Sequence, residues 1–298
     1  MVTSEALIAA IGNFDGVHRG HQHLLAETAA FAKAHGAAPA ALTFNPHPRR
    51  FFRPDDPPFL LTTPTMRDDL LRDHGAREVF VLTFDARLAA MSPEDFMLGV
   101  VKERLGLAGV VAGADFRFGK GRSGGIEALQ TVGEAAGLKI RIAEVVSEDG
   151  APEKYASSAV RAALKDGDVV AAERLLGRAW SVRGVVAEGQ RLGRTIGFPT
   201  ANLSLGDLVE PRRGVYATRA LIDGAAHLAI SNFGRRPTVE DAAPRLETHI
   251  FDFEGDLYGR EIEVQFVGFI RDEQKFDGIE ALQAQIAADC ESAKQMLA

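Results

Sequence analysis

Residues 11–25 read IGNFDGVHRGHQHLL. Two imidazoles, His18 and His21, stand three residues apart, with Gly12 and Gly16 before them and Gly20 between them. On a helix that spacing puts both rings on one face. Each ring can donate an N–H to a phosphate oxygen. Glycines let the backbone approach a ligand closely, and a helix N-terminus is a seat for an anion. Attack on the α-phosphate of a nucleotide piles negative charge onto its equatorial oxygens. Fixed donors aimed there lower the barrier, and losing one costs about 10²–10³ in rate. No proton need move if the attacking group is already an anionic phosphate. A metal site is the competing reading. The pair then lacks a clear third ligand beyond Asp15 or His23, and Arg19 repels a cation.

Three further stretches can do chemistry. YASSAVRAAL (155–164) sets Ser157, Ser158 and Arg161 at a helix start, where hydroxyls and a guanidinium suit phosphates. An ordinary N-cap by either serine explains the same residues. LGRTIGFPTANL (192–203) offers Gly193 and Gly197, with Gly189 before them, as a glycine flap, then Thr200 and Asn202 two apart, facing one way on an extended segment. Their oxygens are hard ligands that suit Mg²⁺; a turn in which both bond their own backbone is the alternative. Glu247, in ETHIFDF, is either a base for an alcohol proton or an exposed strand-end acid.

The elements that must position these groups fall into two textures. Up to about residue 145, short apolar strands (Ala6–Ile11, Ala38–Phe44, Glu78–Phe84, Gly109–Ala112, Ile140–Val145) alternate with helices. A helix over His21–His35 has an apolar face of Leu24, Leu25, Thr28, Phe31 and Ala32; others run over Pro64–His74 and from Ser92-Pro93. That alternation predicts an α/β domain with a parallel sheet. Ligands then bind beyond the carboxyl ends of the strands, where the opening motif sits. Ser157–Gly177 reads as two short helices stopped by Gly167 and Gly177. After it, short strands over 180–187, 214–222, 228–232, 247–253 and 262–270 predict a small β-barrel. A final helix follows over 277–298, capped by Asp277, with Ile279, Leu282, Ile286, Cys290, Ala293 and Leu297 as its apolar stripe. The domain break is expected between 165 and 180.

With 298 residues there is room for two domains, and 46% hydrophobic with 25% charged residues is ordinary for a globular chain. A net charge of −7 gives no basic stripe for nucleic acid, so no nucleic-acid partner is expected. A single cysteine excludes an internal disulfide. No leader peptide and no membrane span is read, so the expected location is the cytoplasm. Composition does not specify an oligomeric state.

GNFDGVHRGH resembles the G-x-F-D-x-x-H-x-G-H signature of the nucleotidylyltransferase superfamily. Within it the chain is similar to the bacterial bifunctional FAD synthetases, riboflavin kinase joined to FMN adenylyltransferase. The likeness continues at TFNPHP (43–48), GADFRFGKGRSG (113–124), YASSAVRAAL, PTAN, SNFGRRPTV (231–239), ETHIFDFEGDLYG (247–259) and FIRDEQKF (269–276). Two departures stand out: Asn45 where the family has an acid, and Ala156 where it has a serine. The resemblance implies a Rossmann-like nucleotidylyltransferase domain (1–165), a linker helix (166–179) and a riboflavin-kinase-type β-barrel with its C-terminal helix (180–298). It implies riboflavin phosphorylation to FMN, then adenylylation to FAD, with ATP as co-substrate and Mg²⁺ as cofactor. Riboflavin, FMN and ATP are then the partners. His18 and His21 would be catalytic. Gly12, Phe14, Gly16, Gly20, Asp115, Ser157, Ser158, Arg161, Gly193 and Gly197 would bind nucleotide. Thr200 and Asn202 would hold the metal, Glu247 would be the base, and Arg271 would lie near the flavin. Two rivals are a different nucleotidylyltransferase whose barrel only binds flavin, and a non-catalytic flavin sensor.

Overall fold

The computed structural model describes residues 5–144, 155–188, 197–234 and 244–298. The chain forms two compact units: Met1–Asp56 with Pro64–Ala156, and Pro57–Thr63 with Ser157–Ala298.

The first unit runs β1 (Leu7–Ile11), α1 (Arg19–Ala34), β2 (Ala38–Asn45), α2 (Pro48–Phe52), α3 (Pro64–Asp73), β3 (Glu78–Thr83), α4 (Ala86–Ala89), α5 (Pro93–Asp95, continued by a π-helical stretch Phe96–Arg104), β4 (Gly109–Gly113), α6 (Ile126–Ala135) and β5 (Lys139–Ala143). The five strands are parallel, in the order β3-β2-β1-β4-β5. Alternate residues of a strand face opposite sides. Ile8 and Ala10 of β1 therefore pack with Leu24 and Leu25 of α1, while Ala9 and Ile11 pack with Met97, Val100 and Leu129. Both faces are covered, as a parallel sheet requires. The chain winds outward from β1 to β3, then crosses to β4 and β5. The switch point thus lies between β1 and β4. Strand β5 starts and ends earlier than expected, and Val145 lies outside the described residues.

The second unit runs α7 (Ser157–Asp166), α8 (Val169–Leu176), β6 (Ser181–Val185), β7 (Ala201–Ser204), β8 (Gly214–Ile222), β9 (Ala225–Gly234), β10 (Arg245–Ile250), β11 (Glu261–Asp272) and α9 (Ile279–Leu297). Its antiparallel strands follow the order β6-β11-β8-β9-β10-β7. The Ala187 N–H donates to the Asn202 carbonyl at 2.9 Å, so the chain leaving β6 meets β7 and nearly closes a barrel. Trp180, Tyr216, Phe233, Leu246 and Phe266 fill its interior.

The main stretch of the second unit begins at Ser157, ahead of the 165–180 window expected for the break. Val160 and Leu164 of α7 and Val169, Ala172 and Leu176 of α8 are buried in the barrel's own core, so these helices belong to the second unit. So does Pro57–Thr63, a strap from the first half of the sequence. Its Phe59 and Leu60 N–H groups donate to the Asp207 carbonyl, and Leu60 accepts from Val209 at 2.7 Å. Its Leu61 is fully buried, and the Leu61 carbonyl accepts the Trp180 indole N–H. A contiguous reading of the sequence has no signal for such an insertion. In α9, Gly278 rather than Asp277 occupies the N-cap position, and Ile279 is 64% exposed. The stripe that packs is Cys290, Ala293 and Leu297, with Ile286, against Val215, Ala217 and Ile230 of the barrel wall.

Candidate active sites

In the first unit, the loop Gly12–His18 leaves β1 at the switch point and is unusually constrained. Phe14, Gly16 and Val17 have φ of 53°, 84° and 41°. A β-branched residue at positive φ is an outlier, maintained only where its surroundings over-determine it. Here Phe14 and Val17 are fully buried. The Val17 N–H bonds Phe14 O at 3.0 Å, Gln22 donates to Val17 O at 2.9 Å, and Thr43 donates to Asn13 O at 3.3 Å. A side chain at Gly12 would crowd the Phe14 ring at 3.3 Å. One at Gly20 would meet the His18 ring and Tyr155 at 3.2 Å.

Helix α1 begins at Arg19, not His21. His18 is its extended N-cap residue, and its carbonyl accepts the N–H groups of His21 and Gln22. The two imidazoles are therefore not both helical, yet they stack with centroids 3.7 Å apart and planes 19° from parallel. Phe14 stands edge-on to His21 at 5.2 Å. The Nδ1 of His21 is buried with no hydrogen-bond partner among the described residues. Burial, and secondarily the neighbouring His18, hold the His21 pKa well below its usual 6.5. A neutral ring is what close stacking tolerates, and a neutral ring still carries one N–H to donate. Asp115 follows β4, the strand beside β1, and is exposed at the same sheet edge. Asn45 ends β2 on the other side of β1.

In the second unit the site is a row across strands. Asn202 of β7 lies opposite Glu247 of β10, which lies opposite Asn232 of β9, which lies opposite Val215 of β8, itself opposite Arg271 of β11. Paired residues in antiparallel strands project to the same side, here the wall that also packs α9. The opposite side carries a fully buried hydroxyl chain, Thr218 to Ser231 at 2.8 Å and Ser231 to Thr248 at 2.9 Å, which ties β8, β9 and β10 in this register. Glu247 is half-buried within β10, not an exposed strand-end acid. Asn202 is 5% exposed and its amide lies 3.4 Å from the Thr200 carbonyl. Thr200 sits one residue before β7, and Gly197 lies ahead of it at φ 90°. Gly193 lies outside the described residues.

Arg271 does not pair with the side chains of Asp272 or Glu273. It makes a bidentate bond to Asp289 of α9 at 2.7–3.0 Å, and Gln285 adds a bond to the same carboxylate. Asp272 instead holds Arg212. Ser157 and Ser158 open α7, Ser158 exposed, and the Arg161 Nε donates to the strap carbonyl of Phe59 at 2.6 Å.

No group of three or more His, Cys, Asp or Glu side chains among the described residues could hold a metal. The oxygen donors in and beside the row are different: the amides of Asn202 and Asn232 and the carboxylate of Glu247, with Thr200 just before β7 carrying a hydroxyl. That set fits Mg²⁺, which keeps waters and takes its remaining oxygens from substrate phosphates. It does not fit a soft transition metal.

Family models for FAD synthetase and for riboflavin kinase match residues 2–158 and 176–297. A bifunctional riboflavin kinase/FMN adenylyltransferase of Pseudomonas fluorescens is 39% identical over 98% of this chain and 93% of its own. Its namesake in Bacillus subtilis (strain 168) is 34% identical over 96% and 91%. The chain belongs to the bifunctional riboflavin kinase/FMN adenylyltransferase family. It is accordingly a transferase with a kinase and a nucleotidyltransferase half, serving the conversion of riboflavin to FMN and FAD. A crystal structure described as a macrolide-efflux protein from Streptococcus pneumoniae has the same fold, with TM-score 0.86 and 31% identity over 98% of this chain and 95% of that one. No helix among the described residues is long and apolar enough to cross a membrane.

Two features of this family member escaped the sequence reading. Asn232 flanks Glu247, and only strand register reveals it. Phe44, Phe51, Phe52 and Phe84 cluster edge-to-face, with centroids 5.2–5.8 Å apart, near the carboxyl ends of β2 and β3. Phe52 is 63% exposed. The run Arg49-Arg50-Phe51-Phe52 after NPHP was the available signal.

Proposed function

We propose that the first unit adenylylates FMN and the barrel phosphorylates riboflavin, each with its own ATP. In the first unit, Gly12, Phe14, Gly16 and Gly20 shape the loop that receives the nucleotide, and Asp115 faces it from the neighbouring strand end. His18 and His21 donate to the α-phosphate oxygens. The FMN phosphate oxygen forms the new P–O bond as the bond to pyrophosphate breaks. His21, kept neutral by burial, stabilises the charge without releasing a proton. The exposed face of Phe52 supplies apolar surface for a flavin ring. Ser157, Ser158 and Arg161 lie on α7 of the second unit, and their assignment to ATP phosphates comes from the resemblance alone.

In the barrel, Glu247 accepts the proton of the riboflavin 5′-hydroxyl as that oxygen bonds the γ-phosphorus and ADP departs. Thr200 and Asn202 would hold Mg²⁺, which neutralises phosphate charge when bound. Gly193 and Gly197 are assigned to nucleotide binding on the resemblance. Arg271 acts on the flavin side through its tie to α9. The observation that carries the reading is Glu247 in register between Asn202 and Asn232, a single carboxylate among amide oxygens. A cytoplasmic location, with small molecules rather than nucleic acid or membrane as partners, accords with the acidic composition.

Product analysis by chromatography tests it. Protein with riboflavin, ATP and Mg²⁺ should give FMN and then FAD; with FMN in place of riboflavin it should give FAD. FMN alone in the first tube would remove the adenylylation assignment, with Asn45 and Ala156 the first residues to restore.

A further inference from the structure

The β7–β10 ladder pairs Ser204 with Arg245, Leu203 with Leu246, Asn202 with Glu247 and Ala201 with Thr248, and stops there. The next pair in register would be Thr200 with His249. Just beyond it stands Pro199, which has no N–H to give. Yet Thr200 must be held as firmly as Asn202 if the two are to serve one site. At this point the His249 Nδ1 lies 2.8 Å from the Pro199 carbonyl. A carbonyl only accepts, so Nδ1 carries the proton and the tautomer is fixed. The same ring meets Phe198 edge-on at 5.5 Å and Phe251 at 5.7 Å. Phe198 in turn packs with Val215, Ile230 and Cys290 against the barrel wall.

We infer that His249 is a positioning residue for phosphoryl transfer: its imidazole N–H extends the ladder by one side-chain bond and fixes Phe198-Pro199-Thr200, so that the Thr200 hydroxyl points with Asn202 toward the MgATP phosphates. His249 lies two residues after Glu247 on the same side of β10. One short strand therefore carries both the base and the hold on the opposing metal-binding segment. This rests on the kinase reading of the barrel.

Asparagine places an amide N–H where Nδ1 stands, whereas glutamine places it where Nε2 stands. The test compares H249N, H249Q and E247Q in riboflavin phosphorylation, with FMN-to-FAD conversion and thermal unfolding of each protein as fold controls. H249N should stay within about twofold of the parent. H249Q should raise the apparent KM for MgATP roughly tenfold, the worth of one hydrogen bond, with the riboflavin KM and the melting temperature unmoved. Equal KM values in H249N and H249Q, whether both unchanged or both raised, would overturn the positioning role. An E247Q protein that still makes FMN at the parent rate would instead overturn the kinase reading. H249F, which keeps the ring contacts and lacks the N–H, should match H249Q; parental behaviour there would also remove the role.

Discussion

The two units solve the problem of holding reactive groups in opposite ways. The first builds its site on one short loop and stores strain there: three residues at positive φ, two of them buried side chains, and glycines at the points of closest packing. The second builds its site on strand register. Asn202, Glu247 and Asn232 come from three stretches of sequence and meet because hydrogen-bonded ladders, and a hydroxyl chain on the other side of the wall, leave no other alignment. Loop strain is local and contiguous; register is distributed. Damage should therefore stay confined in the first unit and spread through long-range ties in the second.

The strongest test of that separation removes the single carboxylate. Glu247→Gln should lower FMN formation by about 10²–10⁴ and leave FMN-to-FAD conversion at the parental rate, read by chromatography with riboflavin or FMN as substrate. Loss of both activities together would break the two-site picture. Next in size, His18→Ala should cut FAD formation about 10²–10³ while riboflavin is still phosphorylated. A proportional loss of FMN formation would show that the loop is not local in its effects.

The distributed character of the barrel is tested at Asp289, 3% exposed and engaged by Arg271 and Gln285. Removing one partner of a buried ion pair leaves the other charge uncompensated, at about 3–5 kcal/mol. Asp289→Ala should lower the barrel's unfolding free energy by that order, measured by denaturant titration. FMN formation should fall with it, although Asp289 lies outside the row. The matching test of local strain is smaller. Gly16→Ala places a Cβ at φ 84°, costing about 1–2 kcal/mol. It should slow FAD formation and leave FMN formation alone.

How much of this was legible differs between the units for the same reason. The His18–His21 site lies within one decapeptide between a strand and a helix, so its residue types, spacing and place at the sheet edge could all be read in order. The geometry could not: His18 stands outside α1, and stacking arises from the cap position rather than from helical phase. In the barrel, Glu247 and Asn202 could be given roles from their strings; Asn232 could be named in SNFGRRPTV but reads there as a turn residue with no role, and the partner of Arg271 could not be named. Register and an ion pair 18 residues apart leave no periodic trace. The strap Pro57–Thr63 was invisible for a further reason: its contacts reach residues more than a hundred positions away.

The smallest expected effect bears on why the loop tolerates two stacked imidazoles at all. His21 has its pKa held well below 6.5, chiefly by burial and then by His18. The unfolded chain takes up a proton at this residue as pH falls through about 6.5, while the folded protein does not. The folded state then binds fewer protons than the unfolded one, so stability is lost as pH drops below that value and is intact above it. Comparing denaturant midpoints at pH 7.5 and 5.5, the parent protein should lose more than His21→Gln, which has no proton to take up. Inorganic pyrophosphate or ATP, by placing negative charge beside the rings, favours the protonated form and should narrow the difference. An identical pH response in parent and variant would mean that burial does not hold the His21 ring neutral, and the first unit's tight loop would then need a counter-charge.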